Sequence, residues 1–63
     1  MLRLTQERIT RGWSKARLAR VAGLDQSLIS KIELGRCAPY PRQAARIARA
    51  LRLPPEELLV EVP

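Results

Sequence analysis

Histidine is absent from this chain, and cysteine occurs once, at Cys37. The first absence removes the commonest general base and the commonest metal ligand. The second removes any internal disulfide and any zinc centre, which needs four ligands. Phenylalanine is also missing, which leaves Trp13 and Tyr40 as the only aromatics. No apolar run is longer than Leu58-Leu59-Val60, far below the roughly 20 residues of a membrane span. No secretory signal is visible, because the basic start is not followed by an apolar stretch. A lone thiol without staples points to a reducing, cytoplasmic setting. No cofactor and no membrane partner are expected.

What remains is small and basic. The 63 residues, 46% of them hydrophobic, are too apolar for a disordered tail. They suffice for one domain, residues 1–63, with one core. Below about 70 residues, an unstapled chain must pack economically or associate. Twelve Lys and Arg against six Asp and Glu give a net charge of +6. Such an excess favours a nucleic-acid partner, although a solvated basic surface produces the same number.

The punctuation at Gly12, Gly23, Gly35, Pro39, Pro41 and Pro54-Pro55 cuts the chain into five short pieces. None alternates as a half-buried strand does. Ala, Leu, Arg and Glu dominate, all strong helix formers, so the expected class is all-α. A first helix is predicted over Leu2–Arg11, with Leu4 and Ile9 inward. A second follows Ser14, a good N-cap, with Leu18, Ala19 and Ala22 on one face and Gly23 ending it. A third starts at Asp25 as N-cap, turns Ile29 and Ile32 inward, and stops at Gly35. Arg36 to Pro41 reads as a loop.

The fourth helix is predicted over Pro41–Leu51, with Ala44, Ile47, Ala48 and Leu51 as its inner stripe. Its arginines, among them Arg46 and Arg49, read as a solvated face. A fifth short helix is expected from Pro54-Pro55, with Glu56 and Glu57 in its first turn and Leu58 and Leu59 as anchors. Residues 60–63 are expected as an extended tail, frayed or used in association. Trp13 is the one large aromatic expected inside, where its indole N–H would need a partner.

The informative stretch is 14–35, two short helices joined by a tight turn at Gly23-Leu24. This is a helix-turn-helix layout, in which one helix crosses the phosphate backbone and the next enters the major groove. The chain resembles the phage-repressor and Cro-like helix-turn-helix proteins, also called the xenobiotic-response-element type. The resemblance rests on Arg8, Gly12-Trp13-Ser14, Leu18-Ala19, Gly23-Leu24, Ile29-Ser30-Lys31-Ile32-Glu33 and Gly35. Beyond them, Pro39, Ile47-Ala48, Leu51, Leu53 and Leu58-Leu59 keep the same register.

The resemblance implies a compact five-helix, lambda-repressor-like domain that binds operator DNA as a homodimer on a palindromic site. It implies base reading by Gln26, Ser27, Ser30 and Lys31, and backbone contacts by Lys15, Arg36 and Arg42. A glutamine bonds an adenine edge in bidentate fashion, and a lysine can reach guanine or phosphate. It also implies a structural ion pair between Arg8 and Glu33.

Three positions depart from the family pattern. Lys15 stands where a glutamine is usual. Leu28 takes a usually small polar position, where it touches either a thymine methyl or a core edge. Arg52 replaces the glycine that ends the fourth helix. The function so implied is a transcriptional regulator, most simply a repressor, and not an enzyme. The alternative is an antitoxin that binds both DNA and a partner protein.

Overall fold

The computed structural model describes residues 1–63. Four α-helices follow one another: α1 Arg3–Thr10, α2 Lys15–Ala22, α3 Gln26–Glu33 and α4 Pro41–Leu51. A single 3-10 turn, Pro55–Glu57, takes the place of the expected fifth helix. Two prolines set its start, and Pro55 has no N–H to donate. Its end is set from across the molecule. The Leu58 carbonyl accepts from the Leu4 amide at 3.0 Å, and the Val60 carbonyl from the Arg3 amide at 2.8 Å. Carbonyls committed to the start of α1 cannot continue a helix.

The expected tail is therefore paired rather than frayed. Leu2 and Glu61 form an isolated antiparallel bridge, and the Val62 amide donates to the Met1 carbonyl at 2.8 Å.

Ten residues form the core, all aliphatic: Leu4 of α1; Leu18, Ala19 and Ala22 of α2; Ile29 and Ile32 of α3; Ile47, Ala48 and Leu51 of α4; and Leu58. Ile9 does not join them and is 54% exposed. Five residues from Leu4, it lies roughly 140° around the helix. The position one turn on from Leu4 is Arg8, which faces inward in its stead. Leu59 is also outside, 43% exposed, while Leu58 beside it is fully buried. Trp13 is half-buried against Arg11, whose guanidinium lies 5.4 Å from the ring centroid. The indole N–H is not buried and makes no hydrogen bond within the chain.

All four helices end in the same way. At the end of α2 the Leu24 amide donates to the Ala19 carbonyl at 2.8 Å, and the Gly23 amide to the Arg20 carbonyl at 3.2 Å. The same pair of bonds closes α1 around Gly12, α3 around Gly35 and α4 around Arg52. This motif needs a left-handed residue at its hinge. Gly12, Gly23 and Gly35 supply φ of 71°, 72° and 74°. Arg52 adopts φ 56° despite its side chain. The missing glycine thus leaves the helix end in the ordinary shape and stores the strain in the backbone.

Arg52→Gly should raise stability by about 0.5–1 kcal/mol, the relief being partly offset by a more flexible unfolded chain. Urea unfolding at low protein concentration reads this directly. A lower midpoint would refute a strained Arg52.

Candidate nucleic-acid interface

The second and third helices pack face to face through Leu18, Ala19 and Ala22 against Ile29 and Ile32. Ser14 caps α2, its hydroxyl accepting from the Arg17 amide at 3.0 Å. Asp25 takes the N-cap position of α3 with an extended backbone, φ −75° and ψ 142°. Its carboxylate makes no capping bond, contrary to the usual role of aspartate there. The Asp25 carbonyl accepts from the Leu28 and Ile29 amides and starts the helix.

The roll of α3 about its axis is set at its far end. Glu33 receives the Arg8 side chain in a fork: Nε to Oε2 at 2.8 Å and Nη2 to Oε1 at 3.1 Å. The remaining terminal nitrogen, Nη1, donates to the Trp13 carbonyl at 2.8 Å. The two side chains are only 12% and 6% exposed. One guanidinium thus ties α1, the loop after it and α3 together.

With Ile29, Ile32 and Glu33 held inward, the other side of α3 faces out. Ser27 and Lys31 are exposed there and Ser30 is half-buried, while Gln26, two turns before Glu33 on its own side, is exposed at the start of the helix. Ser27 and Lys31 line an open groove together with Arg20 and Gln43. Leu28 lines the same groove and also packs on the core edge.

Lys15 is half-buried in the first turn of α2. Arg36 is exposed just past Gly35, and Arg42 is exposed in the first turn of α4. Uncharged hydrogen-bonding groups therefore sit on the presented helix, and Lys15, Arg36 and Arg42 stand on the elements around it. Such an arrangement can pair base edges and neutralise phosphates at once.

Two arginines do work that their sequence context concealed. Arg46 is exposed but not merely solvated, since its Nη1 lies 3.4 Å from the Gly23 carbonyl. Arg11 donates from Nη2 to the Leu51 carbonyl at 2.9 Å. Each satisfies a carbonyl at a helix C-terminus, where a cation also suits the dipole. The only available signal was a basic residue able to reach a glycine-type helix end from another helix. That relation is non-local.

No motif in the sequence points to Tyr40. It is 74% exposed beside Pro41-Arg42, and its amide donates to Gln43 Oε1 at 2.9 Å, one half of a capping box. No group of three or more His, Cys, Asp or Glu gathers into a metal site. No helix is long and apolar enough to cross a membrane.

Arg8→Met should cost roughly 3–5 kcal/mol, because it strands the Glu33 carboxylate without its partner. Adding Glu33→Leu should return most of that loss. A double-mutant cycle by urea unfolding checks it, and additive losses would show that the two side chains act separately.

No curated protein matches the chain. A family model described as a helix-turn-helix domain matches residues 2–60, nearly the whole chain and every element just described. With its two packed helices, glycine turn and outward-facing third helix, the chain belongs to the helix-turn-helix domain family.

Proposed function

We propose that this DNA-binding helix-turn-helix protein is a sequence-specific transcriptional repressor that reads the major groove with α3. The observation that carries this reading is the two-sidedness of α3. Ile29, Ile32 and the Glu33 carboxylate are held inward, while Gln26, Ser27, Ser30 and Lys31 are left to the outside. In this reading Gln26 pairs with an adenine edge, Ser27 and Ser30 with base edges or phosphate, and Lys31 with guanine or phosphate. Lys15, Arg36 and Arg42 grip the backbone and set the register.

A homodimer on a palindromic operator completes the reading. Two α3 helices about 34 Å apart meet successive major grooves. Repression by occluding a promoter requires no further machinery. A second reading, an antitoxin that also covers a partner protein, draws on the half-exposed Leu59 and Val60 near the C-terminal end.

Selection from a random duplex pool should yield a two-fold symmetric site. Against that site, Gln26→Ala should reduce discrimination by roughly 1–3 kcal/mol and leave the salt dependence unchanged. Arg36→Ala should weaken all duplexes alike and lower the log–log salt slope by about 1. Equal affinity for every duplex would refute sequence-specific regulation.

A further inference from the structure

The C-terminal ends of α2 and α4 form a second groove, which meets the α3 groove at Arg20 and Gly23. Arg20, Arg46, Arg49 and Arg52 surround it, with Val21 and Ala50 between them. All four arginines are exposed, and none takes part in an ion pair. Four arginines line it, with no carboxylate among the lining residues. Val21 adds an apolar surface, 48% exposed. An occupant that fits therefore brings both carboxylates and aliphatic side chains. A phosphate backbone offers only the charge.

The chain itself carries such a surface. Three of its six acids, Glu56, Glu57 and Glu61, lie beyond Leu53, where there is no basic residue. Glu56 and Glu57 are exposed and unpaired, and Leu59 and Val60 after them are 43% and 49% exposed. The two surfaces adjoin, because α4 packs on the Pro55–Glu57 turn and only Leu53 and Pro54 separate Arg52 from it. A face that is basic at one end and acidic at the other is self-complementary under a two-fold rotation.

We propose that this face joins two copies of the chain, Arg46 and Arg49 of each receiving Glu56 and Glu57 of the other. No residue of α3 lines the arginine groove, and Arg46 and Arg49, on which the contact is centred, do not line the groove beside α3. A standard interface covers about 800 Å² per partner, roughly a fifth of the 4197 Å² that this chain exposes. The contact deepens the dimeric reading given above, and it is measured without DNA.

Sedimentation equilibrium at about 150 mM salt, near physiological ionic strength, should show concentration-dependent formation of a two-chain species. Arg46→Glu/Arg49→Glu should weaken it at least ~10-fold. Because that variant has a lower net charge, relief of general repulsion would act in the opposite direction. Glu56→Arg/Glu57→Arg should also weaken it. The quadruple swap keeps the natural net charge and should restore association. Circular dichroism confirms that each variant is helical. If the Glu pair does not melt cooperatively, Arg46→Gln/Arg49→Gln carries the same prediction.

A chain that stays monomeric, single-side variants that associate normally, or a swap that fails to restore association would each overturn the proposal. So would an Arg46→Glu/Arg49→Glu variant of unchanged mass that has lost duplex affinity, which would assign the groove to phosphates. Duplex binding by a monomer would overturn this surface and leave the DNA reading standing. A dimer that binds no duplex would support the surface and sink the DNA reading.

Discussion

The Arg8 guanidinium holds together three parts of the chain, and its fork to Glu33 is the polar tie between α1 and α3. Two of its nitrogens reach Glu33 and the third reaches the Trp13 carbonyl, all within 3.1 Å. Burying a charge this deeply is costly, and only a geometry that satisfies both partners offsets the cost. Arginine suits the task because its planar fork matches a carboxylate edge and still has a donor to spare. A lysine would reach Glu33 as a point charge and leave the Trp13 carbonyl alone. What the pair secures is orientation. One residue of slip in α3 would roll it by about 100° and turn its outward polar side chains toward the core. The side that would meet DNA is therefore set by an ion pair between Glu33, at the far end of α3, and Arg8 of α1, neither of which needs to touch DNA.

The rest of the molecule shows how a core of ten aliphatic residues is made to suffice. Nearly every helix end is closed by a specific device. Four carry the same left-handed hinge, and two have an arginine from another helix on the final carbonyls. The segment beyond the 3-10 turn is pinned to α1 by backbone bonds at Leu58 and Val60. Each device satisfies polar groups that would otherwise compete with folding by staying hydrated. The price is visible at Arg52, where a side chain occupies a conformation that glycine holds freely. Its neighbours Arg46 and Arg49 share its groove, so the charge at this hinge belongs to a surface as well as to a helix end.

Local rules made much of this readable in the sequence. Ser14 with the Leu18, Ala19 and Ala22 spacing defined α2, Gly23 and Gly35 marked real hinges, and the stripe of α4 is the buried one. The errors arose where the deciding contact was remote. Apolar character alone points Ile9 inward, yet the position facing inward belongs to Arg8, whose partner lies 25 residues away. The fifth helix was expected from a favourable first turn. It stops because its following carbonyls serve the amides of α1. Arg46 looked like solvent-facing charge until α2 and α4 were brought together. On the outward side of α3 the residue types are legible, since Ser27, Ser30 and Lys31 fall off the Ile29 and Ile32 stripe by helical spacing. Which bases they meet depends on a duplex, and no spacing within the chain encodes it.

The net charge of +6 takes on a different meaning once it is divided among these places. Arg8 is neutralised inside, and Arg11 and Arg46 serve helix ends. Lys15, Lys31, Arg36 and Arg42 remain on or around α3, and none of them lines the arginine groove. Two free copies, each with that net charge, repel one another beyond contact range, although salt limits this to about 8 Å. A duplex removes the repulsion, since its phosphates neutralise the cations that face it. Any local attraction between the arginine groove and the Glu56-Glu57 turn then acts with less opposition on DNA than in free solution. Pairing of copies and binding to the duplex would reinforce each other through charge alone, with no change of conformation, by the reciprocity that links any two binding equilibria.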